Sequence, residues 1–401
     1  MKLKRRLNRF ACLLMAGVMA VALAVGPAAL PAQASTGVSM VAASATVDGT
    51  DGLYYEWQTD GSTTWHRELI ISGQWSPPTM TVQSNGNVLI SSIYWNTGTL
   101  YFFWQGYGTT SWNVEQVSPT GAAWYYGGTS IAAQTVMSSG QAAYVGIVAE
   151  NSASDSNGNP YFTYYYSQIG KAGWYSETLP GGYDGQDDPD IAVGPNNEFV
   201  VVFDPGIEST SDSGFFIDVL PYQSNSWSER HVGTGYIENQ PQVEVQSSGN
   251  IIIADTIGTQ NDFQGTEFYW SPADDIASWY AEHITSTMGS IAPQGVSMAD
   301  NPAAGSITIT GGANSNCISA STQAYGPNPW TVAQVGCPGL DGANPTIAAQ
   351  ADGELIATSA SPNGAAGYFY WAAENSSTWH TETLPGLTDI YESMAVTSYT
   401  P

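Results

Sequence analysis

Aromatic residues and carboxylates occur close together in several Gly-rich segments of the 401-residue sequence. An aromatic ring stacks on the apolar C–H groups of a sugar, while Asp and Asn accept hydrogen bonds from its hydroxyls. This combination indicates a binding site for neutral glycans. The residues predicted to form it are Trp75, Trp124, Tyr125, Tyr183, Asp187, Asp188, Asp204 and Tyr236. The alternative is that these loops are ordinary turns and that the rings only fill gaps in the core.

Catalysis has a narrower basis in the sequence. Asp187-Asp188-Pro189-Asp190 places three carboxylates within four residues. Together with Asp204 or Glu208 they could supply the acid and base of a glycosidase, or oxygen ligands for Ca2+. The sequence contains no Ca2+-loop consensus, no metal-ligand spacing among its four histidines, no Gly-x-Ser-x-Gly elbow and no phosphate loop. We therefore assign no catalytic residue, no metal ligand and no cofactor, with Ca2+ kept as an alternative.

The first 34 residues have the composition of an export signal. A basic head containing Lys2, Arg5 and Arg9 precedes an apolar run, and Ala32-Gln33-Ala34 matches the A-x-A cleavage pattern. A retained membrane anchor is the alternative, but the run is short and a cleavage site follows it. We expect residues 1–34 to be a secretory signal peptide and the mature protein to be secreted and extracellular.

Removal of that segment makes the chain strongly acidic. Only Arg67, Lys171 and Arg230 remain as basic residues, and against 35 acidic residues they leave a net charge of −32. Such a chain cannot neutralise phosphates, so we expect no binding to nucleic acid or to anionic membranes. Because protonation removes most of this charge, we also expect the protein to tolerate acid.

One pattern recurs seven times along the chain. An aromatic segment is followed by a short polar turn and then by a Trp, with a Glu three residues later in five copies and an aliphatic residue five residues later in all of them. The seven tryptophans are Trp65, Trp112, Trp174, Trp227, Trp279, Trp330 and Trp379. Each repeat contains four short segments typical of β-strands, which is the content of one propeller blade. The sequence therefore predicts an all-β, seven-bladed β-propeller; the rival, a parallel β-helix, has shorter coils.

The two ends of the chain predict how the ring closes. The first repeat lacks an innermost strand, whereas the segment Ser393 to Ser398 resembles one and is left over at the end. We expect this segment to complete the first blade as a velcro closure, which leaves no free sheet edge. Residues 35–401 then form a single propeller domain.

The repeated Glu and the non-repeating loops have different expected roles. A residue present in most blades is best explained by contacts between blades, so we expect each Glu to be hydrogen-bonded to the neighbouring sheet. The loops that enter the innermost strands, and those that join the second and third strands, lie on one face around the channel. Besides the residues named above, these loops contain Asp51, Tyr94 to Asn96, Asp389 and Tyr391.

Two cysteines remain after the signal segment. Cys317 and Cys337 are symmetric about the turn Gly326-Pro327-Asn328-Pro329, which would place them opposite each other on a hairpin. In an oxidising compartment such a pair can form a disulfide, as we expect for these two. The alternative is two buried thiols.

The repeat resembles that of secreted bacterial propeller proteins with an aromatic-Tyr-Trp segment, a Gly-containing turn and Trp-x-x-Glu, and more distantly that of seven-bladed propeller lectins. The resemblance covers nearly the whole chain after residue 34 and implies the architecture. The turn Asp60-Gly61-Ser62-Thr63-Thr64-Trp65 is also similar to a sialidase Asp box. A sialidase needs three arginines to hold a carboxylate, and only two Arg remain after the signal segment.

These observations favour a secreted, non-catalytic, lectin-like propeller that binds neutral glycans or a cell-surface partner. One alternative is a secreted carbohydrate-active enzyme, either a hydrolase or a lyase, that uses carboxylates of the loop face. Another is a structural protein of a surface or matrix.

Overall fold

The structure is a computed structural model. It describes residues 37–123, 128–135, 143–154, 160–180, 189–204, 214–233, 237–259, 262–272, 277–284, 296–313, 317–326, 328–337, 345–391 and 393–400. The predicted signal peptide, residues 1–34, lies outside this range. The described residues form seven four-stranded antiparallel sheets arranged in a ring and one short 3-10 helix, Pro362–Gly364. None of them forms a helix that is long and apolar enough to cross a membrane. The predicted all-β, seven-bladed propeller is confirmed.

The strands of each blade follow one another from the channel outwards. Blade 1 consists of β28 (Met394–Tyr399), β1 (Val38–Val47), β2 (Thr50–Thr59) and β3 (His66–Ser72). Blade 2 consists of β4 (Thr79–Val82), β5 (Val88–Tyr94), β6 (Thr99–Gln105) and β7 (Asn113–Gln116). Blade 3 consists of β8 (Thr129–Ala133), β9 (Tyr144–Ser154), β10 (Pro160–Gln168) and β11 (Tyr175–Thr178). Blade 4 consists of β12 (Asp190–Val193), β13 (Phe199–Phe203), β14 (Gly214–Leu220) and β15 (Ser228–Gly233).

The remaining three blades have the same order of strands. Blade 5 consists of β16 (Ile237–Val245), β17 (Ile251–Thr259), β18 (Asp262–Ser271) and β19 (Tyr280–Ile284). Blade 6 consists of β20 (Val296–Asn301), β21 (Ser306–Ala313), β22 (Cys317–Ala324) and β23 (Thr331–Gly336). Blade 7 consists of β24 (Thr346–Ala349), β25 (Leu355–Ala360), β26 (Gly367–Ala372) and β27 (His380–Leu384).

The second strand of blade 4, β13, is apolar along its whole length because it is covered on both faces. All five residues of β13 are buried, since one face of the strand meets blade 3 and the other meets blade 5. A continuous apolar run between turns is typical of such a strand. The outermost strands are mostly exposed, as in β19. The core therefore lies between neighbouring blades.

Blades 1 and 2 show how this core is built. Met40 and Tyr55 of blade 1 pack in one cluster with Ile90 and Phe103 of blade 2, and all four side chains are fully buried. Burial of each such side chain contributes about 1.5–3 kcal/mol. Aromatic side chains are frequent in the third strands of every blade except blade 6, because large rings bridge the gap between two twisted sheets.

The repeated Trp and Glu join consecutive blades. In five interfaces the indole N–H of the Trp donates to the Glu carboxylate of the preceding blade. These hydrogen bonds are Trp65 to Glu382 (3.2 Å), Trp112 to Glu68 (3.0 Å), Trp174 to Glu115 (3.1 Å), Trp227 to Glu177 (3.2 Å) and Trp330 to Glu282 (3.1 Å). The expectation that each Glu meets the neighbouring sheet is confirmed for these five. Arg230 stands at the Glu position of blade 4, and its guanidinium donates instead to the carbonyl of Ala277 (2.9 Å).

The first blade contains both ends of the described chain. Strand β28 pairs antiparallel with β1, with Val41 opposite Val396 and Ala42 opposite Ala395. In blade 6, Cys317 and Cys337 form a disulfide next to the pairing of β22 with β23. These are the two cysteines that the sequence places across a hairpin.

Candidate functional site

A cleft opens between blades 1 and 2 on the face formed by the loops that enter the innermost strands. Its volume is about 260 Å3. Four separate loops contribute to it: β1 to β2, β3 to β4, β5 to β6 and β27 to β28. Its polar and aromatic lining residues are Ser44, Thr46, Asp51, Gln74, Trp75, Trp95, Asp389 and Tyr391. We call this the blade 1–2 cleft.

Trp75 forms the floor of the blade 1–2 cleft. Its carbonyl accepts a hydrogen bond from the Ser44 hydroxyl of blade 1 (2.8 Å), and its ring packs against Tyr94 and Phe103 of blade 2. The side chain is only 3% exposed. Trp75 therefore supports the cleft and presents little surface to a ligand. A side chain at Gly73, whose φ is +119°, would approach the Tyr94 ring to 2.8 Å, so the loop must turn there on a glycine.

Two half-buried rings from distant parts of the chain form the wall. Trp95 and Tyr391 are 3.9 Å apart between ring centroids and meet edge to face, at 88°. The backbone N–H of Trp95 donates to the carbonyl of Gln74 (3.1 Å). The backbone N–H of Tyr391 donates to the carbonyl of Ser44 (3.0 Å). Both rings are thus placed by backbone hydrogen bonds, which makes the wall well defined before any ligand arrives.

Two carboxylates lie in the lining of the cleft. Asp51 accepts the Thr46 hydroxyl through one oxygen at 2.6 Å. Asp389 is exposed, and among the described residues no hydrogen bond reaches its side chain. It occupies the left-handed region with a φ of 47°, a conformation that Asp tolerates in turns. The carboxylates present acceptors that a ligand with several hydroxyl donors can use.

Two indole N–H groups at the cleft have no acceptor among the described residues. The indole N–H groups of Trp75 and Trp95 are buried, and neither has an acceptor among the described residues. A buried donor without a partner costs about 1–3 kcal/mol. Both nitrogens are enclosed by protein, so in this conformation neither is offered to a ligand.

The sequence-predicted site residues are distributed unevenly. Trp75 lies in the blade 1–2 cleft, whereas Asp204 is buried at the end of β13 in blade 4 and does not line it. The other six predicted residues, Trp124, Tyr125, Tyr183, Asp187, Asp188 and Tyr236, lie outside the described residues. Trp95, Asp389 and Tyr391 were expected on the loop face but not in the site. Their proximity depends on contacts between loops almost 300 residues apart, and no local pattern reveals it.

The central channel is a second cavity, of about 520 Å3, lined by the innermost strands of all seven blades. Asp190 joins three of them. Its carboxylate accepts the Ser130 hydroxyl of blade 3 (2.6 Å) and the Val243 N–H of blade 5 (2.8 Å). Burial raises the pKa of Asp190 to about 6, although these hydrogen bonds oppose the rise.

Glu244 is unusual among the residues that line the channel. The corresponding positions of the other innermost strands hold small residues: Thr81, Ala132, Ala192, Ala299, Ala348 and Ala395. Burial raises the pKa of Glu244 to about 8, with a further contribution from the negative charges of Asp190 and Asp300. Among the described residues, no group of three or more His, Cys, Asp or Glu side chains has an arrangement that could hold a metal ion.

Comparisons with known proteins show the fold. No family model matches the sequence, and no curated protein matches it. Similar solved structures include a six-bladed fungal lectin from Aleuria aurantia described by its fucose recognition (TM-score 0.50, 12% identity, 78% of this chain and 96% of that one). Another is an alpha-L-arabinanase from Penicillium chrysogenum in complex with arabinobiose (TM-score 0.51, 12% identity, 79% and 93%). An apocarotenoid oxygenase from Synechocystis also matches (TM-score 0.54, 10% identity, 91% and 93%). The chain is a seven-bladed β-propeller, and at low sequence identity it shares the general β-propeller fold with a six-bladed lectin and with enzymes.

Proposed function

We propose that the protein is a secreted, non-catalytic, lectin-like propeller that binds a neutral glycan in the blade 1–2 cleft. The observation that carries this proposal is the wall formed by Trp95 and Tyr391 beside the carboxylates of Asp51 and Asp389. The rings supply apolar contact to sugar C–H groups, and the carboxylates accept from sugar hydroxyls.

The dimensions of the cleft support a small saccharide. Its volume of about 260 Å3 is slightly below the roughly 300–1,000 Å3 typical of pockets for drug-sized ligands. One or two sugar units at the end of a chain therefore fit better than the middle of a long polymer. The wall is positioned by backbone hydrogen bonds, so binding requires little ordering of the loops.

The known neighbours include both a lectin and an arabinanase, so the experiment must separate binding from turnover. Purified protein is screened on a glycan array, and the best ligands are titrated by calorimetry. The same mixtures are assayed for release of reducing sugar. Saturable binding without release supports the proposal.

Site variants then locate the binding. Truncation of a central Trp in a binding site typically costs 2 kcal/mol or more, so Trp95→Ala should weaken binding by about 30-fold. The matched control is Tyr175→Ala, because Tyr175 is 65% exposed on β11 of blade 3, away from the cleft. Unchanged affinity in Trp95→Ala, with its melting temperature also unchanged, would place the ligand elsewhere and refute this site. Turnover that persists in purified protein would favour the enzyme instead.

A further inference from the structure

Among the described residues that line the blade 1–2 cleft, no cation balances the negative charge. Its lining contains Asp51 and Asp389 but no Lys, Arg or His. The three basic residues that follow residue 34 are placed elsewhere. Arg67 is paired with Glu56, Arg230 donates to the carbonyl of Ala277, and Lys171 lies in a turn of blade 3. Among the residues that the structure describes, the cleft is therefore acidic without compensation.

The geometry of the two carboxylates leaves oxygens available. The described contacts of Asp51 include one hydrogen bond, from the Thr46 hydroxyl, and those of Asp389 include none to its side chain. Any hydrogen bond to a carboxylate is charge-assisted, and a cationic donor adds the Coulomb attraction of a full positive charge to it. A ligand that brings a positive charge would gain more in this cleft than a ligand that brings only hydroxyls.

The aromatic wall favours the same kind of ligand. A cation within about 6 Å of a Trp or Tyr ring centroid gains roughly 0.5–2 kcal/mol from the ring electrons. Trp95 and Tyr391 line the cavity together with the two carboxylates. Gln74 also lines the cavity and is exposed, and its polar side chain suits a hydroxyl on the same ligand. The cleft thus combines features that suit an ammonium group and features that suit a hydroxylated ring.

We propose that the preferred ligand is an amino sugar with a free, protonated amine, such as the terminal unit of a glucosamine oligosaccharide. This inference rests on the proposed binding of glycans in this cleft and extends the ligand class from neutral glycans to glycans that carry a protonated amine. Acidic sugars are disfavoured by the same carboxylates.

The test compares two ligands that differ only in the amine. The β-1,4-linked disaccharide of glucosamine and its di-N-acetylated form are titrated by calorimetry at a mildly acidic pH and low salt. A charge-assisted contact plus a cation–π contact predicts about tenfold tighter binding of the free amine. At about 1 M salt, where the Debye length is about 3 Å, the preference should shrink.

Variants distinguish a specific contact from general attraction to an acidic protein. Asp51→Asn combined with Asp389→Asn should bring the two affinities within about twofold of each other, because the charge-assisted contacts are lost. The control is Asp352→Asn, which changes an exposed carboxylate in the turn between β24 and β25 of blade 7.

Equal affinities of the two disaccharides for the unmodified protein would overturn the amine preference alone. Failure of both disaccharides and of the whole glycan array would overturn the proposed function as well. A preference that survives in the double variant would show attraction to overall charge and refute the assignment to this cleft.

Discussion

Replacement of Glu244 by Gln should make the protein more stable at alkaline pH and leave its stability in acid nearly unchanged. The carboxyl lies in the channel, where burial and two nearby negative charges raise its pKa from the ordinary 4.5 to about 8. The folded protein therefore binds this proton more tightly than the unfolded chain does. The stability that this proton contributes is fully present below about pH 4.5 and is lost as the pH rises to about 8.

The size of the effect follows from the same values. Each tenfold change in proton affinity corresponds to about 1.4 kcal/mol, so the rise to about 8 sets an upper limit of about 5 kcal/mol. Glu244 is only partly shielded from the solvent of the channel, and screening brings the expected difference to roughly 2–4 kcal/mol. The Gln side chain has nearly the same shape but does not have to release a proton.

Urea denaturation of both proteins across about pH 4 to pH 9 measures the difference. The two curves of unfolding free energy against pH should coincide at the acid end and diverge above about pH 5. Glu374→Gln, an exposed residue in a turn of blade 7, is the matched control and should follow the unmodified protein throughout. Parallel curves for Glu244→Gln would show that this carboxyl is not strained by burial and would refute the reasoning.

Two further predictions concern buried ionic contacts. Arg67→Gln should destabilise the protein by about 3–5 kcal/mol near pH 8, because Glu56 is 1% exposed and would lose its cationic partner. The loss should diminish in acid, since burial already raises the pKa of Glu56 to about 7, and Arg230→Gln serves as control. Glu382→Ala should cost about 1–3 kcal/mol, because the Trp65 indole would lose its acceptor and the Gln58 amide would keep only the Ser62 carbonyl. A double-mutant cycle with Trp65→Phe should return a coupling of at least about 0.5 kcal/mol, and additive effects would contradict the contact.

The raised pKa of Glu244 belongs to a general tendency. Burial also raises the pKa of Asp190 to about 6, of Glu354 to about 7 and of Asp218 to about 8. Neither oxygen of Asp218 has a hydrogen-bond donor among the described residues. Each of these groups stabilises the folded state more as the pH falls, which supports the expectation of acid tolerance drawn from composition.

The architecture could be predicted because it is repeated. The same pattern occurs in seven copies because each blade must pack against its neighbours in the same way. Exceptions such as Arg230 and Ala333 therefore do not hide the repeat. The contact of Glu68 with the next blade could be predicted for the same reason, because a residue present in most blades is expected to make a contact that is common to them. Repetition therefore reveals how the blades stack without any knowledge of the three-dimensional register.

The site could be predicted only in part. The sequence locates Trp75 in a loop of the correct face, but not the contact of Trp95 with Tyr391, which exists only after the ring has closed. Glu244 has no local signal, because one carboxylate in a short strand looks like an ordinary exposed residue until seven strands surround it. Both features arise from tertiary proximity and neither recurs along the chain.

The position of Tyr391 makes the blade 1–2 cleft depend on the assembly of the first blade. Its wall joins the loop that precedes β28 to the loop between β5 and β6, almost 300 residues earlier in the chain. A ligand held between Trp95 and Tyr391 would bind only while β28 is paired with β1, so it would stabilise that pairing by mass action. Chains that stop before Tyr391, or rings that have opened at the first blade, lack half of the wall. The affinity for such a ligand would therefore report whether the first blade is assembled.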